Sequence, residues 1–153
     1  STEIMKDVTE RVMHCLEGTV ENQGKIVIAT VEGDTHDIGK NIVVSTLRAS
    51  GFEVIDLGRE VPVTHIIETA EKYCVDFIAT SALLTSTLIE QKKLEVMLRG
   101  LGLRAKYTTM VGGAPCTPRW TRRIGADIYC EDAVEAVKMA KEAMEKKNKK
   151  NNK

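Results

Sequence analysis

The chain has 153 residues, of which 42% are hydrophobic and 4% aromatic, and its 22 basic residues balance its 22 acidic residues. This length and apolar content predict a single domain with an aliphatic core. Zero net charge gives no electrostatic reason to expect nucleic acid or an anionic membrane as a partner. No secretory signal region and no long apolar run are recognisable, so we expect a cytoplasmic protein that does not enter a membrane.

Residues 1–24 form a separate piece at the N-terminus. Ile4, Val8, Val12 and Leu16 recur every four residues, a spacing that places them on one face of an amphipathic helix. A single helix cannot make a domain. We therefore expect it either to pack on the rest of the chain or to be the remnant of a helical cap.

From residue 25 onward, β-branched runs alternate with segments whose apolar residues have helical spacing. Strands are predicted at residues 25–31, 53–57, 76–80, 105–111 and 127–130. Helices are predicted at residues 38–50, 63–73, 88–100 and 118–124, and a last helix, capped by Asp132, is predicted to run to about Lys146. Residues 147–153 are polar and low in complexity, so we expect a disordered tail after a domain that spans residues 25–146.

Five strands separated by helices predict an α/β domain with a parallel sheet. We expect a three-layer, flavodoxin-like (Rossmann-like) doubly wound sheet in the strand order 2-1-3-4-5. In that order, ligands bind beyond the carboxyl ends of the strands, near the switch point between strands 1 and 3. The loops after strands 1, 3 and 4 read EGDTHDIG, SALLTST and GGAPCT, and their small residues let a ligand approach closely.

The loop after strand 1 contains neither G-x-G-x-x-G nor the P-loop pattern, which argues against a dinucleotide or nucleoside triphosphate site. An FMN or receiver domain predicts a phosphate-binding hydroxyl loop or an acidic pocket there, and neither is present. The loop offers Asp34 and His36, two residues apart on the same side of an extended segment. Asp34 can accept a hydrogen bond from one ring nitrogen of His36 and leave the other free for a metal. A helix-capping aspartate beside a surface histidine is the other interpretation.

Three motifs occur in order: D-x-H-x-x-G at residues 34–39, S-x-L at residues 81–83 and G-G at residues 112–113. With the stretches EGDTHDIGKNIV, SALLTST, MVGGAP and GADIYCEDAVEAV, they resemble the cobalamin-binding domain over roughly residues 24–145. The sequence is most similar to the corrinoid proteins of methanol, methylamine and methoxylated-aromatic methyltransferase systems. It is also similar to the cobalamin module of cobalamin-dependent methionine synthase.

The resemblance implies a cobalt ligand in the first loop. His36 is expected to replace the cofactor's own dimethylbenzimidazole as the lower axial ligand, which is the base-off/His-on state of cobalamin. Asp34 is expected to hydrogen-bond His36, and Thr87 to add a hydroxyl to this pair. Asp37 and Ile38 are expected to touch the lower edge of the corrin.

The displaced nucleotide tail is implied to lie in a deep groove between strands 1 and 3. Gly39 is expected to let the helix start close to that tail, and Gly112 and Gly113 to clear its path. Three residues are expected to line the pocket of its base: Ser81, Leu83 and Thr85. Tyr129 is expected near the benzimidazole, with packing in the core or at the rim as the alternative. The whole predicted cofactor-binding set is Asp34, Thr35, His36, Asp37, Ile38, Gly39, Ser81, Leu83, Thr85, Thr87, Gly112, Gly113 and Tyr129.

The family resemblance implies a methyl carrier. Its cofactor is expected to alternate between cob(I)alamin and methylcobalamin, taking a methyl group through a substrate-specific methyltransferase. A second methyltransferase is expected to pass the group to tetrahydrofolate or a thiol, and a reductive activase is the third expected partner. The chain offers no catalytic base or nucleophile of its own, so we expect a subunit of an enzyme system rather than a complete enzyme.

Two other functions stay open at this point: a non-catalytic cobalamin sensor or carrier, and the cobalamin domain of an adenosylcobalamin mutase. Family members usually carry a helical bundle over the upper face of the corrin. Only about 24 residues precede the first predicted strand here, which slightly favours the sensor. The SALLTST loop and the HDIGKNIV helix start favour methyl transfer over a mutase.

Overall fold

The structure is a computed structural model that describes residues 23–151, and the helix predicted near the N-terminus lies outside these residues. The strands are β1 (Gly24–Thr30), β2 (Phe52–Asp56), β3 (Phe77–Ser81), β4 (Thr108–Gly112) and β5 (Ile128–Cys130). They form one parallel sheet in the order β2-β1-β3-β4-β5. The predicted doubly wound α/β fold and its strand order are therefore confirmed.

Helices connect the strands in the described part of the chain. They are α1 (Ile38–Ala49), α2 (Val63–Tyr73), α3 (Leu88–Gly100), α4 (Pro118–Ile124) and α5 (Ala133–Asn151). Two short 3₁₀ turns precede α3 and β4, at Thr85–Thr87 and Arg104–Lys106. None of these helices is long and apolar enough to span a bilayer.

The core has one layer on each face of the sheet, because alternate residues of a strand point to opposite faces. Every residue of β1 is buried. Ile26 and Ile28 pack with side chains from α1 and α5. Val27 and Ala29 pack with side chains from α2 and α3 on the other face.

The register aligns the last residues of four strands across the carboxyl edge of the sheet. Thr30 of β1 pairs with Ser81 of β3, Ser81 pairs with Gly112 of β4, and Gly112 pairs with Cys130 of β5. The loops that leave these strands therefore start from one row. This places the three predicted site loops side by side.

The last helix is longer than the sequence predicted. It continues to Asn151, whereas an end near Lys146 and a disordered tail from residue 147 were expected. No glycine or proline interrupts this stretch. Glu142 and Glu145 each precede a lysine by four residues, a spacing that favours helix.

Two isoleucines at the start of α1 are exposed, although they have the helical spacing of a buried face. Ile38 is 79% exposed and Ile42 is 56% exposed. The buried residues of this helix are Lys40, Val44 and Leu47. The first turn of α1 therefore projects beyond the core, and its isoleucines lie at the carboxyl edge of the sheet.

Candidate functional site

A cavity of about 790 Å³ opens at the carboxyl edge of the sheet. Its floor includes Ile28, Ala79 and Met110, from the face of the sheet that α1 and α5 cover. The first turns of α1 and the connection from β5 to α5 form its sides. The cavity thus reaches across β1, β3 and β4, which is wider than the predicted groove between strands 1 and 3.

Asp34 is the centre of a hydrogen-bond network behind this cavity, and it has no exposed surface. Its Oδ2 accepts hydrogen bonds from the Leu83 N–H at 2.7 Å, the Leu84 N–H at 3.2 Å and the Thr87 hydroxyl at 2.8 Å. Its Oδ1 accepts the His36 backbone N–H at 3.1 Å. The carboxylate therefore joins the loop after β1 to the loop after β3.

His36 carries the contact from this carboxylate to the cavity. Its Nδ1 lies 2.7 Å from Asp34 Oδ1, and its side chain is half exposed and lines the cavity. The Thr30 hydroxyl donates to the His36 carbonyl oxygen at 3.1 Å, which fixes the backbone of the loop. The hydrogen bond predicted between Asp34 and His36 is thus present.

The ionisation of Asp34 settles which nitrogen of His36 carries the proton. Burial of the carboxyl opposes its ionisation, but hydrogen bonds from His36, Leu83 and Thr87 outweigh burial and hold the pKa of Asp34 well below its ordinary value. An ionised carboxylate only accepts hydrogen bonds, so Nδ1 must be the donor. In a neutral imidazole, Nε2 then has a free lone pair on the cavity side.

The two glycines after β4 approach other backbone closely. A Cβ on Gly113 would lie 1.8 Å from the Ala82 carbonyl oxygen, and its φ of +124° also requires glycine. A Cβ on Gly112 would lie 3.3 Å from the Cys130 carbonyl oxygen. These glycines allow the loops after β3, β4 and β5 to lie against one another.

Gly39 is different, because a Cβ there would meet no protein atom within 4 Å. It lies in the first turn of α1 and lines the cavity. Packing within the protein therefore gives no reason for glycine at this position. The open space belongs to the cavity, where a glycine leaves room for a ligand.

Ten of the predicted site residues line the cavity. They are Thr35, His36, Asp37, Ile38, Gly39, Ser81, Leu83, Gly112, Gly113 and Tyr129. Asp34 and Thr87 are buried behind His36 instead, joined by their hydrogen bond. Tyr129 also packs beside Val111 and Ile124, which agrees with the packing alternative, while its place near the benzimidazole stays a prediction.

Thr85 does not line the cavity, and its expected place beside the base of the nucleotide tail stays a prediction. It is exposed at the start of the 3₁₀ turn Thr85–Thr87 and is absent from the cavity wall. The turn directs the hydroxyl of Thr87 inward to Asp34 and to the Leu84 carbonyl oxygen at 2.9 Å.

Several wall residues were not predicted from the sequence. The strand residues Ile28, Ala79 and Met110 could have been found from strand alternation, since they share a face of the sheet. Lys40 could not, because a lysine in a helix pattern indicates solvent. In the structure it is 2% exposed and contributes to the cavity wall.

Trp120, whose role the sequence left open, lies behind the carboxyl edge of the sheet. Its indole N–H donates to Gln91 Oε1 at 3.0 Å. The Gln91 amide in turn donates to the carbonyl oxygens of Thr80 at 3.3 Å and Gly112 at 3.2 Å. Trp120 therefore supports the ends of β3 and β4 through a buried amide.

Fold and site together define an α/β ligand-binding domain with a histidine at the switch point of its sheet. Residues 24–138 match the family model described as the B12 binding domain. The chain belongs to this family.

Corrinoid proteins are among its curated relatives. It is 51% identical over 114 residues to trimethylamine corrinoid protein 2 of Methanosarcina acetivorans, a match that covers 74% of this chain and 52% of the relative. It is 54% identical over 114 residues to the dimethylamine corrinoid protein of Methanosarcina barkeri, covering 74% and 54% of the two chains. The chain thus spans about half the length of these relatives.

Solved structures show the same fold. The monomethylamine corrinoid protein of Methanosarcina barkeri superposes with a TM-score of 0.76 at 34% identity, covering 91% of this chain and 66% of that one. The methanol:cobalamin methyltransferase complex MtaBC of the same organism matches with a TM-score of 0.77 at 33% identity, covering 84% and 49%. A cobalamin-binding protein of Desulfitobacterium hafniense DCB-2 matches with a TM-score of 0.75 at 40% identity, covering 77% and 58%.

Proposed function

We propose that the chain binds cobalamin in the base-off/His-on state, with His36 as the lower axial ligand of cobalt. One observation carries the proposal: the fully buried carboxylate of Asp34 lies 2.7 Å from Nδ1 of His36, whose ring lines the cavity. A carboxylate on the far ring nitrogen is the usual support of a metal-bound histidine.

The residues around the cavity fit this cofactor. A neutral imidazole is a good cobalt ligand, and the volume lies in the range of about 300 to 1,000 Å³ that is typical of ligand sites. Ser81 and Leu83 would hold the nucleotide tail from the β3 side, and Gly39 from the α1 side. Ile38, 79% exposed, would gain an apolar partner at the corrin edge.

When bound, cobalamin would supply a cobalt centre able to accept and donate a methyl group. The chain itself orients the imidazole of His36 and adjusts its properties as a ligand. Asp34 keeps the imidazole in one tautomer and raises its basicity.

We further propose that the chain is the corrinoid subunit of a methyltransferase system in the cytoplasm. The relatives named for trimethylamine and dimethylamine support this, as does the structural match with a methanol:cobalamin methyltransferase complex. Its partners would be a substrate-specific methyltransferase, a second methyltransferase that uses tetrahydrofolate or a thiol, and a reductive activase. Catalytic groups would come from those partners, while this chain carries the methyl group.

Reconstitution with hydroxocobalamin tests the binding proposal. The wild type is expected to retain the cofactor through gel filtration, and His36→Ala to show the visible spectrum of a cobalamin without a protein imidazole ligand. His65→Ala is the matched control, because His65 is exposed on α2. Failure of the wild type to retain hydroxocobalamin would contradict the proposal, as would identical spectra of wild type and His36→Ala.

Methyl carriage has its own test. The reconstituted protein is reduced and mixed with isotopically labelled methylamines or methanol and a corresponding methyltransferase. Label is expected on the protein-bound corrinoid. Stable cobalamin binding without label from any donor would instead favour a sensor or storage role.

A further inference from the structure

We propose that Lys40 is a positioning residue for His36. It binds the carboxylate of Asp56, which holds residues 57–61 (LGREV), and we call these residues the bracing segment because they contact the loop that carries His36. The segment follows β2 and supports the loop after β1 from the side opposite to the Asp34 network. This proposal rests on the proposed role of His36 as a cobalt ligand, but the brace itself concerns only contacts within the protein.

The first observation is a buried charge where the helix pattern calls for an apolar residue. Lys40, Val44 and Leu47 form the buried stripe of α1, and only 1% of the Lys40 side chain is exposed. Its Nζ donates to Asp56 Oδ1 at 2.6 Å and to Asn41 Oδ1 at 2.9 Å. Burying an ammonium group is costly. We therefore look for a role of the Lys40–Asp56 ion pair that an aliphatic residue at position 40 could not fill.

The second observation is a contact between the Lys40–Asp56 ion pair and the bracing segment. The same Oδ1 of Asp56 accepts the Gly58 N–H at 2.9 Å. Gly58 and Glu60 both have positive φ values, +89° and +54°. Positive φ is uncommon for a glutamate, so the surrounding contacts must hold this turn in place.

The third observation is the contact between the bracing segment and the site. The Gly58 carbonyl oxygen accepts the Thr30 N–H at 2.8 Å, and the Glu60 N–H donates to the Asp34 carbonyl oxygen at 3.1 Å. Arg59 Nη1 lies 3.4 Å from the Thr35 carbonyl oxygen.

The backbone on the N-terminal side of His36 is therefore held from two directions. The Asp34 side chain reaches the loop after β3, while its carbonyl group and that of Thr35 meet the bracing segment. Since residue 36 follows directly, loosening either contact lets the imidazole turn away from the cavity. Lys40 and Asp56 fix the second contact.

Lys25 is the control for Lys40, because it is also a buried lysine but lies far from the histidine loop. It is 4% exposed and lies near the amino end of β1, with Nζ 3.3 Å from the Tyr73 carbonyl oxygen and 3.9 Å from Glu53. It is therefore at the opposite end of the same strand from the site. Lys25→Met should destabilise the fold without altering the histidine loop.

The test compares Lys40→Met, Asp56→Asn, the double variant and Lys25→Met. The first readout is amide hydrogen exchange of the cofactor-free protein. Lys40→Met and Asp56→Asn are expected to accelerate exchange at residues 34–36 and 58–61, whereas Lys25→Met leaves these amides as in the wild type. The second readout is the dissociation constant for hydroxocobalamin, expected to rise about tenfold in each of the two variants and no further in the double variant.

The outcomes separate the brace from the function proposed above. Unchanged exchange at residues 34–36 in Lys40→Met would overturn the proposal, as would equal losses of affinity in Lys40→Met and Lys25→Met. Additive losses in the double variant would also overturn it, because Lys40 would then act directly on the ligand as part of the cavity wall. If the wild type bound no hydroxocobalamin, the function would fail, while hydrogen exchange would still decide whether the brace exists. Asp56 is partly exposed, so Asp56→Asn keeps the test available if Lys40→Met fails to fold.

Discussion

Two buried carboxylates at opposite ends of the sheet are held in opposite ways. Asp34, at the carboxyl end, accepts hydrogen bonds from backbone amides, a hydroxyl and an imidazole. Glu95, near the amino end, is 1% exposed and faces a guanidinium, with Arg104 Nε at 2.5 Å, and the Thr109 hydroxyl at 2.6 Å.

The difference lies in what each network leaves unpaired. Arg104 also donates to the Gly125 carbonyl oxygen and to Asp127 Oδ2, each at 2.9 Å, so the Glu95 network is internally complete. The Asp34 network ends on an imidazole nitrogen at a cavity. A closed network stabilises a fold, whereas an open one is organised for a ligand.

The sharpest test of this comparison is a pair of isosteric substitutions. Asp34→Asn is expected to lower the free energy of unfolding by about 3 kcal/mol, because an amide NH₂ in place of a carboxylate oxygen would oppose buried backbone donors such as the Leu83 N–H. Glu95→Gln is expected to lower it by about 1 kcal/mol, because Arg104 keeps Asp127 and the burial cost of one ionised group disappears. Urea unfolding of both cofactor-free variants measures this, and equal losses would contradict the distinction.

At the carboxyl end of the sheet, beside the cavity, a larger side chain should leave the stability of the protein unchanged and weaken only the binding of a ligand. Gly39→Leu is expected to leave the cofactor-free protein as stable as the wild type, since a Cβ there meets nothing within 4 Å. It is expected to weaken hydroxocobalamin binding about tenfold or more, because the side chain fills cavity space. Gly100→Leu is the matched control, with equally open space at the end of α3. Thermal unfolding and cofactor titration decide the point, and unchanged affinity of Gly39→Leu would place the ligand elsewhere.

A smaller effect is expected from one donor of the Asp34 network. Thr87→Val keeps the shape of the side chain and removes its hydroxyl, at a cost of about 1 kcal/mol of stability. Thr46→Val controls for loss of a hydroxyl, because Thr46 donates to the Ile42 carbonyl oxygen on the exposed side of α1. Chemical unfolding should rank Thr87→Val as the less stable variant. The reverse order would mean that the backbone amides alone hold Asp34.

The smallest expected effect is a pH dependence of stability that comes from Glu95, near the amino end of the sheet. Burial raises the pKa of Glu95 above 4.5, outweighing the hydrogen bond from Thr109 and the charge of Arg104. The folded protein then binds this proton more tightly than the unfolded chain, so the cost of burying the ionised Glu95 falls as the pH drops toward 4.5. The stability of the wild type relative to Glu95→Gln should therefore improve between pH 7 and pH 5. A shift in the other direction would show that Arg104 controls the ionisation.

Sequence reasoning succeeded where a local pattern decides the structure. Alternating strands and helices predict a parallel sheet, and the three loops meet because carboxyl ends of parallel strands share an edge. His36 and Asp34 could be paired because two residues of extended chain point the same way. These inferences need no knowledge of distant contacts.

Sequence reasoning failed where contacts between residues distant in sequence override the local pattern. Lys40 is buried because Asp56, sixteen residues away in sequence, provides a partner. Ile42 fits the apolar spacing of α1, yet it is 56% exposed and lines the cavity, a position that only the three-dimensional placement of α1 reveals.

The double attachment of Asp34 has a consequence for how related sequences diverge. Three of its partners, the Leu83 and Leu84 amides and the Thr87 hydroxyl, hold two loops together whether or not a cofactor is bound. A duplicated copy that stopped using cobalamin would be free to replace His36 and Gly39, since neither is required by protein packing, but not Asp34. Such a copy would be recognisable as a chain that keeps the aspartate and threonine of the network after its histidine has changed.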